Sequence, residues 1–341
     1  MRVNSYRMLI AIAGLCLIIL ATACTKKSSG EVIVYTSLDQ LYSEPIFKEF
    51  EKSTGIRVKP VYDTEAAKTT GLVNRLIAES SNPQADVFWN NEIGRTIILK
   101  TKGILAPYRS PSAASIPDMY KDPEGYWAGF AARARILICN TDLVPTEEMP
   151  RSLAELTAPE WKGQVCIGNP LFGTTATHVA ALFEVLGEDS AKSFFKALKQ
   201  NGVVMVPGNS ISRDYVRDGE MKIGFTDTDD ANIAIQEGKP VTMIFPDKDG
   251  MGTLVIPNTV ALIKGAKHLK EAKSLIDYLL SEKVESKLAY SLSAQIPIRP
   301  GVDKPGNVVS LDTLTTMDMD WERLAETLIT STEFVHKLFV R

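Results

Sequence analysis

Apolar and polar positions along this chain fall into short β-branched runs that alternate with stretches of helical period. Residues 31–35 form such a run and end at Thr36-Ser37. Residues 45–52 follow, with Ile46, Phe47 and Phe50 at helical spacing and Gly55 as a stop. The pattern then predicts a strand over 56–62 and a helix over 68–79, with Leu72, Val73, Leu76 and Ile77 on one face. A strand over 86–89 and a helix over 93–102, closed by Gly103, complete the block. This β-α-β-α-β-α order predicts a largely parallel sheet covered by helices.

A second block repeats the pattern. Strands are expected over 165–167, 202–206, 222–225 and 241–245, and helices over 177–186, 191–198, 211–217 and 231–237. Residues 252–263 read as one long strand, or two broken at Pro257, and 270–280, 283–290 and 321–339 read as helices. Two extended segments, 126–139 and 252–263, flank the second block. Such crossings between two lobes would act as a hinge, because few backbone angles need to change there. The expected fold is α/β: two Rossmann-like lobes joined by extended hinge crossings, with a ligand cleft between them. Lobe one is expected over 31–130 and 255–341, and lobe two over 131–254.

The N-terminus adds a location. Arg2 and Arg7 precede an apolar run over 8–20, then the small residues Ala21-Thr22-Ala23, then Cys24. This reads as a lipoprotein signal peptide over 1–23, cleaved before Cys24. The run is short of the roughly 20 residues of a spanning helix, which argues against an uncleaved anchor. Cys24 would carry lipid, and the polar stretch 24–30 would be a flexible tether. The working part is therefore expected outside the cytoplasm, in the periplasm or at the cell surface, held to a membrane.

Composition narrows the class. At 341 residues the chain suits two domains better than one core. Its formal net charge of −3 becomes more acidic once Arg2 and Arg7 leave with the signal, so a nucleic-acid partner is not expected. A monomer is expected. Cys139 and Cys166 each lie in a short apolar run and read as buried thiols rather than a disulfide.

Candidate chemistry collects where strands end, which is where open α/β sheets bind ligands. The first block offers Thr36, Ser37 and Asp39, then Thr64, then Asn90, Asn91 and Glu92. The second offers Gly173, Thr174 and Thr175, then Asn209 and Ser210, then Asp227, Thr228, Asp229 and Asp230. Turn and capping chemistry explains any one of these. Their collection at one end of the sheets in a two-lobed chain points to a cleft. Gly173-Thr174-Thr175 and Asn209-Ser210 each open a helix, and helix starts suit an anion. The aspartate run lacks the glycine and glutamate of a helix-loop-helix calcium site. Three histidines, His178, His268 and His336, show no metal spacing. No nucleophile elbow, Walker motif or dinucleotide fingerprint is present, so no enzyme and no resident cofactor are expected.

The chain resembles the extracellular solute-binding proteins of ABC importers, type II fold, in the branch that includes ferric-iron-binding proteins. The carriers are residues 32–37, the Phe47 to Ile56 pattern, Ala85-Asp86-Val87-Phe88-Trp89, and residues 103–107. Further carriers are Asn140-Thr141-Asp142, Pro159-Glu160-Trp161-Lys162-Gly163, Asn209-Ser210 and Glu271-Ala272-Lys273. The resemblance implies an ABC permease with its ATPase as partners. It also implies a cleft that holds ferric iron with a synergistic anion. The family's iron-binding tyrosine pair falls on Asp229-Asp230, its histidine position on Asp39, and its glutamate position on Asn91, with Glu92 adjacent. Gly173-Thr174-Thr175, Asn209 and Asp227 match positions that contact the anion, and Arg133 matches an arginine that reaches the cleft in some relatives.

Converging carboxylates would repel one another and call for a cationic partner. A metal held by Asp39, Glu92, Asp229 and Asp230 is one candidate, and an ammonium group on an organic anion or zwitterion is the other. A surface hydrolase using Asp227, Asp229 and Asp230, or a sensory lipoprotein without a transport role, are the competing classes.

Overall fold

Each run of the first block forms the element its period predicts. The computed structural model describes residues 30–63 and 69–339. Lobe one opens with β1 (Glu31–Thr36), α1 (Gln40–Thr54), β2 (Arg57–Tyr62), α2 (Thr70–Ala78), β3 (Val87–Asn90) and α3 (Gly94–Thr101). β1 pairs in parallel with both β2 and β3. The apolar runs of β1 and β3 are buried because helices cover the sheet. Phe47 of α1 meets Trp89 edge-on at 5.5 Å, and Trp89 meets Phe130 at 5.4 Å.

Lobe two contains the far end of β5 (Ala128–Asn140), then β6 (Val165–Gly168), α4 (Gly173–Leu186), α5 (Glu188–Gln200) and β7 (Val204–Val206). It continues with α6 (Asn209–Arg217), β8 (Ile223–Asp227), α7 (Thr228–Gln236) and β9 (Val241–Ile244). β6 runs parallel to β7 and β8, while β5 pairs antiparallel with β8 and β9. The chain returns along β10 (Val255–Ile263), which pairs antiparallel with β3, with β5 and with the short β4 (Leu105–Ala106). The strand order is β2-β1-β3-β10-β5-β8-β6-β7, with β4 beside β10 and β9 beside β5.

β5 carries both sheets. Its first half, from Ala128 to Ala134, pairs with β10, and Arg135 to Cys139 pair with β8. This is the first expected crossing. The second is one continuous β10 that shifts register between Pro257 and Asn258, where a proline that cannot donate fits an irregularity. Beside that shift Ala131 has φ +40. Its N–H donates to Glu285 Oε1 at 2.8 Å, and Glu285 pairs with the buried Arg299. The hinge backbone is thus held by a buried ion pair.

One detail differs from the sequence reading. α1 begins at Gln40, not Pro45, because Tyr42 and Ser43 N–H groups already donate to the Asp39 carbonyl. The C-terminal helices are α8 (Leu269–Leu279), α9 (Glu282–Tyr290) and α10 (Trp321–Phe339). α10 packs along α4 and α5 as well as α3. Phe334 lies 5.7 Å from Phe183 on one side, and Glu322 pairs with Lys100 at 2.9 Å on the other. Cys139 and Cys166 are free and buried, and burial pushes their thiols up to about 12 and about 11. Among the described residues no helix is long and apolar enough to cross a membrane. Residues 1–23, Cys24 and Thr64 lie outside the described residues.

Candidate functional site

The strand ends of both lobes meet around a cavity of about 320 Å³. On the lobe-two side, three strand-to-helix turns converge, from β6 to α4, β7 to α6 and β8 to α7. Gly173 opens α4 at φ +55 with nothing near its missing Cβ, so the turn requires glycine. At Gly168 a Cβ would stand 2.6 Å from Asn209 Oδ1, so glycine lets α6 approach β6.

Behind these turns lies a saturated frame. Arg135 is fully buried, and its Nη1 donates to Asp227 Oδ1 at 2.7 Å. It also reaches Asn209 Oδ1 at 3.2 Å and Thr174 Oγ1 at 3.3 Å. Thr174 Oγ1 and Asn209 Nδ2 donate to Asp227 Oδ2 at 2.6 and 2.9 Å, and Thr175 Oγ1 donates to Asn209 Oδ1 at 3.1 Å. The Arg135 guanidinium lies 4.3 Å over the Phe225 ring. Thr174, Thr175 and Asn209 therefore spend their side chains on one another. Among the described residues the amides of Gly173, Thr174, Thr175 and Asn209 make no hydrogen bond, and no side chain caps α4 or α6.

The expected clash of carboxylates is corrected. Oxygens of Asp227, Asp229 and Asp230 come within 4.8 Å of one another, but each carboxylate faces a guanidinium. Asp227 has Arg135, Asp229 has Arg133 Nε at 3.0 Å, and Asp230 has Arg213 at 3.8 Å. Burial works against the charge on Arg133, yet Asp229, Asp227 and Asp39 outweigh it and raise its pKa. Arg133 Nη1 also donates to the Asn91 carbonyl and so ties the crossing strand to lobe one. Its Nη2 has no partner among the described residues.

Lobe one contributes Leu38, Asp39, Leu41, Tyr42 and Asn91. Burial first, and then the carboxylates of Asp229, Asp39 and Asp230, push the Tyr42 phenol up. Thr36, Ser37, Asn90 and Glu92 do not line the cavity but support it from behind. Ser37 Oγ donates to Asn90 Oδ1 at 2.6 Å, and Thr36 Oγ1 accepts from the Leu38 amide. Glu92 is fully buried; it accepts from the Arg95 amide at 3.1 Å, from Asn90 Nδ2 and, across the lobes, from Thr177 Oγ1 at 2.9 Å. Glu92, expected among the cleft ligands, is spent on capping α3 and bridging to α4 and does not line the cavity. Thr228 likewise faces β5, accepting from the Ala134 amide. Asp39, Asn91, Arg133, Gly173, Thr174, Thr175, Asn209, Ser210, Asp227, Asp229 and Asp230 do line the cavity.

Sequence reasoning missed Arg135, Arg213 and Tyr42. The Arg133-x-Arg135 spacing puts two arginines on one strand face and could have signalled the first. Arg213 stands one helical turn beyond Asn209, on the same face. Tyr42 was hidden by the late start assigned to α1.

The sequence profile of the bacterial extracellular solute-binding proteins matches residues 85–327. The chain belongs to this family. It is a solute-binding receptor that works outside the cytoplasm, and the family is one of binding proteins, not enzymes. The receptor is 27% identical over 327 residues to the iron uptake protein A1 of Synechocystis, spanning 92% of this chain and 89% of that one. It is 25% identical over 340 residues to a putative 2-aminoethylphosphonate-binding periplasmic protein of Salmonella typhimurium, spanning 94% and 96%. Its fold matches iron-bound HitA from Pseudomonas aeruginosa with a TM-score of 0.81 at 23% identity, over 90% of this chain and 99% of that one. The fold is therefore that of a type II periplasmic binding protein, as the family resemblance implied.

Proposed function

We propose that this receptor is anchored through lipid on Cys24 and closes its lobes on a small organic anion with a phosphate-like end. It then delivers that solute to an ABC permease and its ATPase. One observation carries the reading: the unbonded amides of Gly173, Thr174, Thr175 and Asn209 share a cavity with the open Nη2 of Arg133. Two helix starts favour an anion by about 0.3–1 kcal/mol each, and by up to about 2 kcal/mol when partly buried. A group with three terminal oxygens can accept from several such donors at once. The Salmonella relative's name, a phosphonate binder, agrees with this reading.

A ferric iron–anion complex is the second reading. It is favoured by the close carboxylate oxygens of Asp227, Asp229 and Asp230, which suit a hard cation, and by the name of the Synechocystis relative. The guanidinium beside each of those carboxylates weighs against it, since a metal would have to displace an existing ion pair.

Native mass spectrometry of protein freshly extracted from membranes, with metal analysis of the same sample, tests the assignment. An organic mass released unchanged and no stoichiometric iron are expected. Bound iron would overturn the organic-anion reading, and an altered mass would favour a hydrolase. The same spectrum should show a chain that begins at a lipid-modified Cys24; an unmodified N-terminus would remove the anchor.

A further inference from the structure

Three buried polar groups meet where the lobes touch, and none of them lines the cavity. Glu92 and Arg95 flank the start of α3 in lobe one, and Thr177 stands in α4 of lobe two. Glu92 and Thr177 are fully buried, and Arg95 is 7% exposed. Thr177 Oγ1 donates to Glu92 Oε2 at 2.9 Å, and Arg95 Nη2 donates to the Leu171 carbonyl at 3.1 Å. Leu171 lies in the β6–α4 turn, where its amide donates to Asn169 Oδ1 at 3.0 Å. The turn that leads into the unbonded amides of Gly173, Thr174 and Thr175 is thus held from lobe one, by a guanidinium outside the cavity.

The charges of this contact are only partly compensated. Arg95 Nη1 has no hydrogen-bond partner among the described residues and lies 3.9 Å from Glu92 Oε1. Burial lowers the Arg95 pKa, against the opposing pull of Glu92 and Asp63. A buried ion pair that is imperfectly satisfied gains little over the same pair in water. Both hydrogen bonds join groups of different lobes, so parting of the lobes breaks them and lets water reach both charges. Contacts of this kind raise the closed population without locking it.

We propose that Arg95 is a positioning residue: with Glu92 and Thr177 it forms a latch that seats the β6–α4 turn in the closed receptor and slows solute release without touching the solute. This rests on the lobe closure proposed above and not on which solute is bound.

Three variants test the latch. Thr177→Val removes the hydroxyl donor at nearly the same size, Thr177→Ser keeps it, and Arg95→Met removes the guanidinium. Stopped-flow binding uses ethylphosphonate, with ferric citrate as the probe should ethylphosphonate not bind. The dissociation rate should rise about fivefold in Thr177→Val and roughly tenfold to a hundredfold in Arg95→Met, with association rates unchanged. Thr177→Ser should match the wild type. Hydrogen exchange over residues 169–178 in the ligand-free chains carries the test without any probe. It should be faster in Thr177→Val and Arg95→Met than in the wild type and Thr177→Ser. The two Thr177 variants decide the matter by themselves should Arg95→Met not fold. Equal exchange in all chains, or a wild-type dissociation rate in Thr177→Val, would overturn the latch. So would a fall in association rate that matches the rise in dissociation, because it marks a damaged site. A wild type that binds ferric citrate and not ethylphosphonate would overturn the organic-anion reading while the latch stands on the other results.

Discussion

The two walls of the cleft are built on opposite plans. On the lobe-two wall the side chains are saturated before any ligand arrives: Asp227 is held by Arg135, Thr174 and Asn209, and backbone amides are left for a solute. On the lobe-one wall Tyr42 presents, from the first turn of a helix, a phenol that makes no hydrogen bond among the described residues. Donors fixed by a buried frame cost little to order on binding, so lobe two can receive an anion without rearrangement. In the proposed closure lobe one would add its contacts as it comes across, which would couple ligand shape to the closed state. The contrast separates capture from discrimination.

Arg135→Met attacks the saturated wall directly. It leaves Asp227 buried without its guanidinium, and a loss of about 3–5 kcal/mol is expected in urea unfolding, with ligand binding lost as well. A loss below about 1 kcal/mol would show that the wall stands without its frame.

Arg133→Ala removes an open donor while the frame stays. Loss of charge-assisted contacts worth about 1.5–3 kcal/mol should weaken solute binding by roughly tenfold to a hundredfold in calorimetry. Unchanged affinity would take Arg133 out of the binding surface.

His178 sharpens the same comparison from behind the frame, its ring 4.8 Å from Phe225. Burial and then Arg135 hold its pKa well below 6.5, and neither ring nitrogen has a partner among the described residues. The unfolded chain takes up this proton as pH falls through 6.5, and the folded chain does not. Its contribution to stability is therefore present above that pH and lost below it, at about 1.4 kcal/mol per pH unit. His178→Leu should flatten the acid limb of a stability–pH curve; an unaltered limb would assign the acid sensitivity to other groups.

The smallest effect is expected at Gly173. Its φ of +55 costs an alanine about 1 kcal/mol, and the new methyl would enter the cavity. A slightly lower melting temperature with clearly weaker binding is expected for Gly173→Ala. The reverse balance would mean that α4 does not meet the solute.

Much of this was legible in the residue order. The β-branched runs at 31–35 and 86–89 became β1 and β3, and Gly55 closed α1. Both extended crossings formed, one through Pro257. The strand-end cluster on lobe two also lines the cleft. Gly173-Thr174-Thr175 and Asn209-Ser210 read as helix starts that suit an anion; the side chains of Thr174, Thr175 and Asn209 bind one another, and their amides make no hydrogen bond among the described residues. Glu92 looked like a ligand because it follows a strand, yet capping α3 and meeting Thr177 consumes it. Local pattern marks which residues are polar at a strand end; it does not say which way each side chain turns.

The sequence by itself determined the two α/β lobes, the acidic character, the signal-like N-terminus and the end of the sheets where polar residues gather. These follow from period, composition and turn chemistry, which act over a few residues. Only the tertiary structure decided which charge meets which. Arg135 lies directly opposite Asp227 in the antiparallel register of β5 and β8, and Arg133 reaches Asp229 from the same strand. A shift of one residue in that register would turn both arginines to the other face. Register is set by how whole strands pack, so the neutralised aspartates and the open phenol of Tyr42 emerge only once the lobes are assembled.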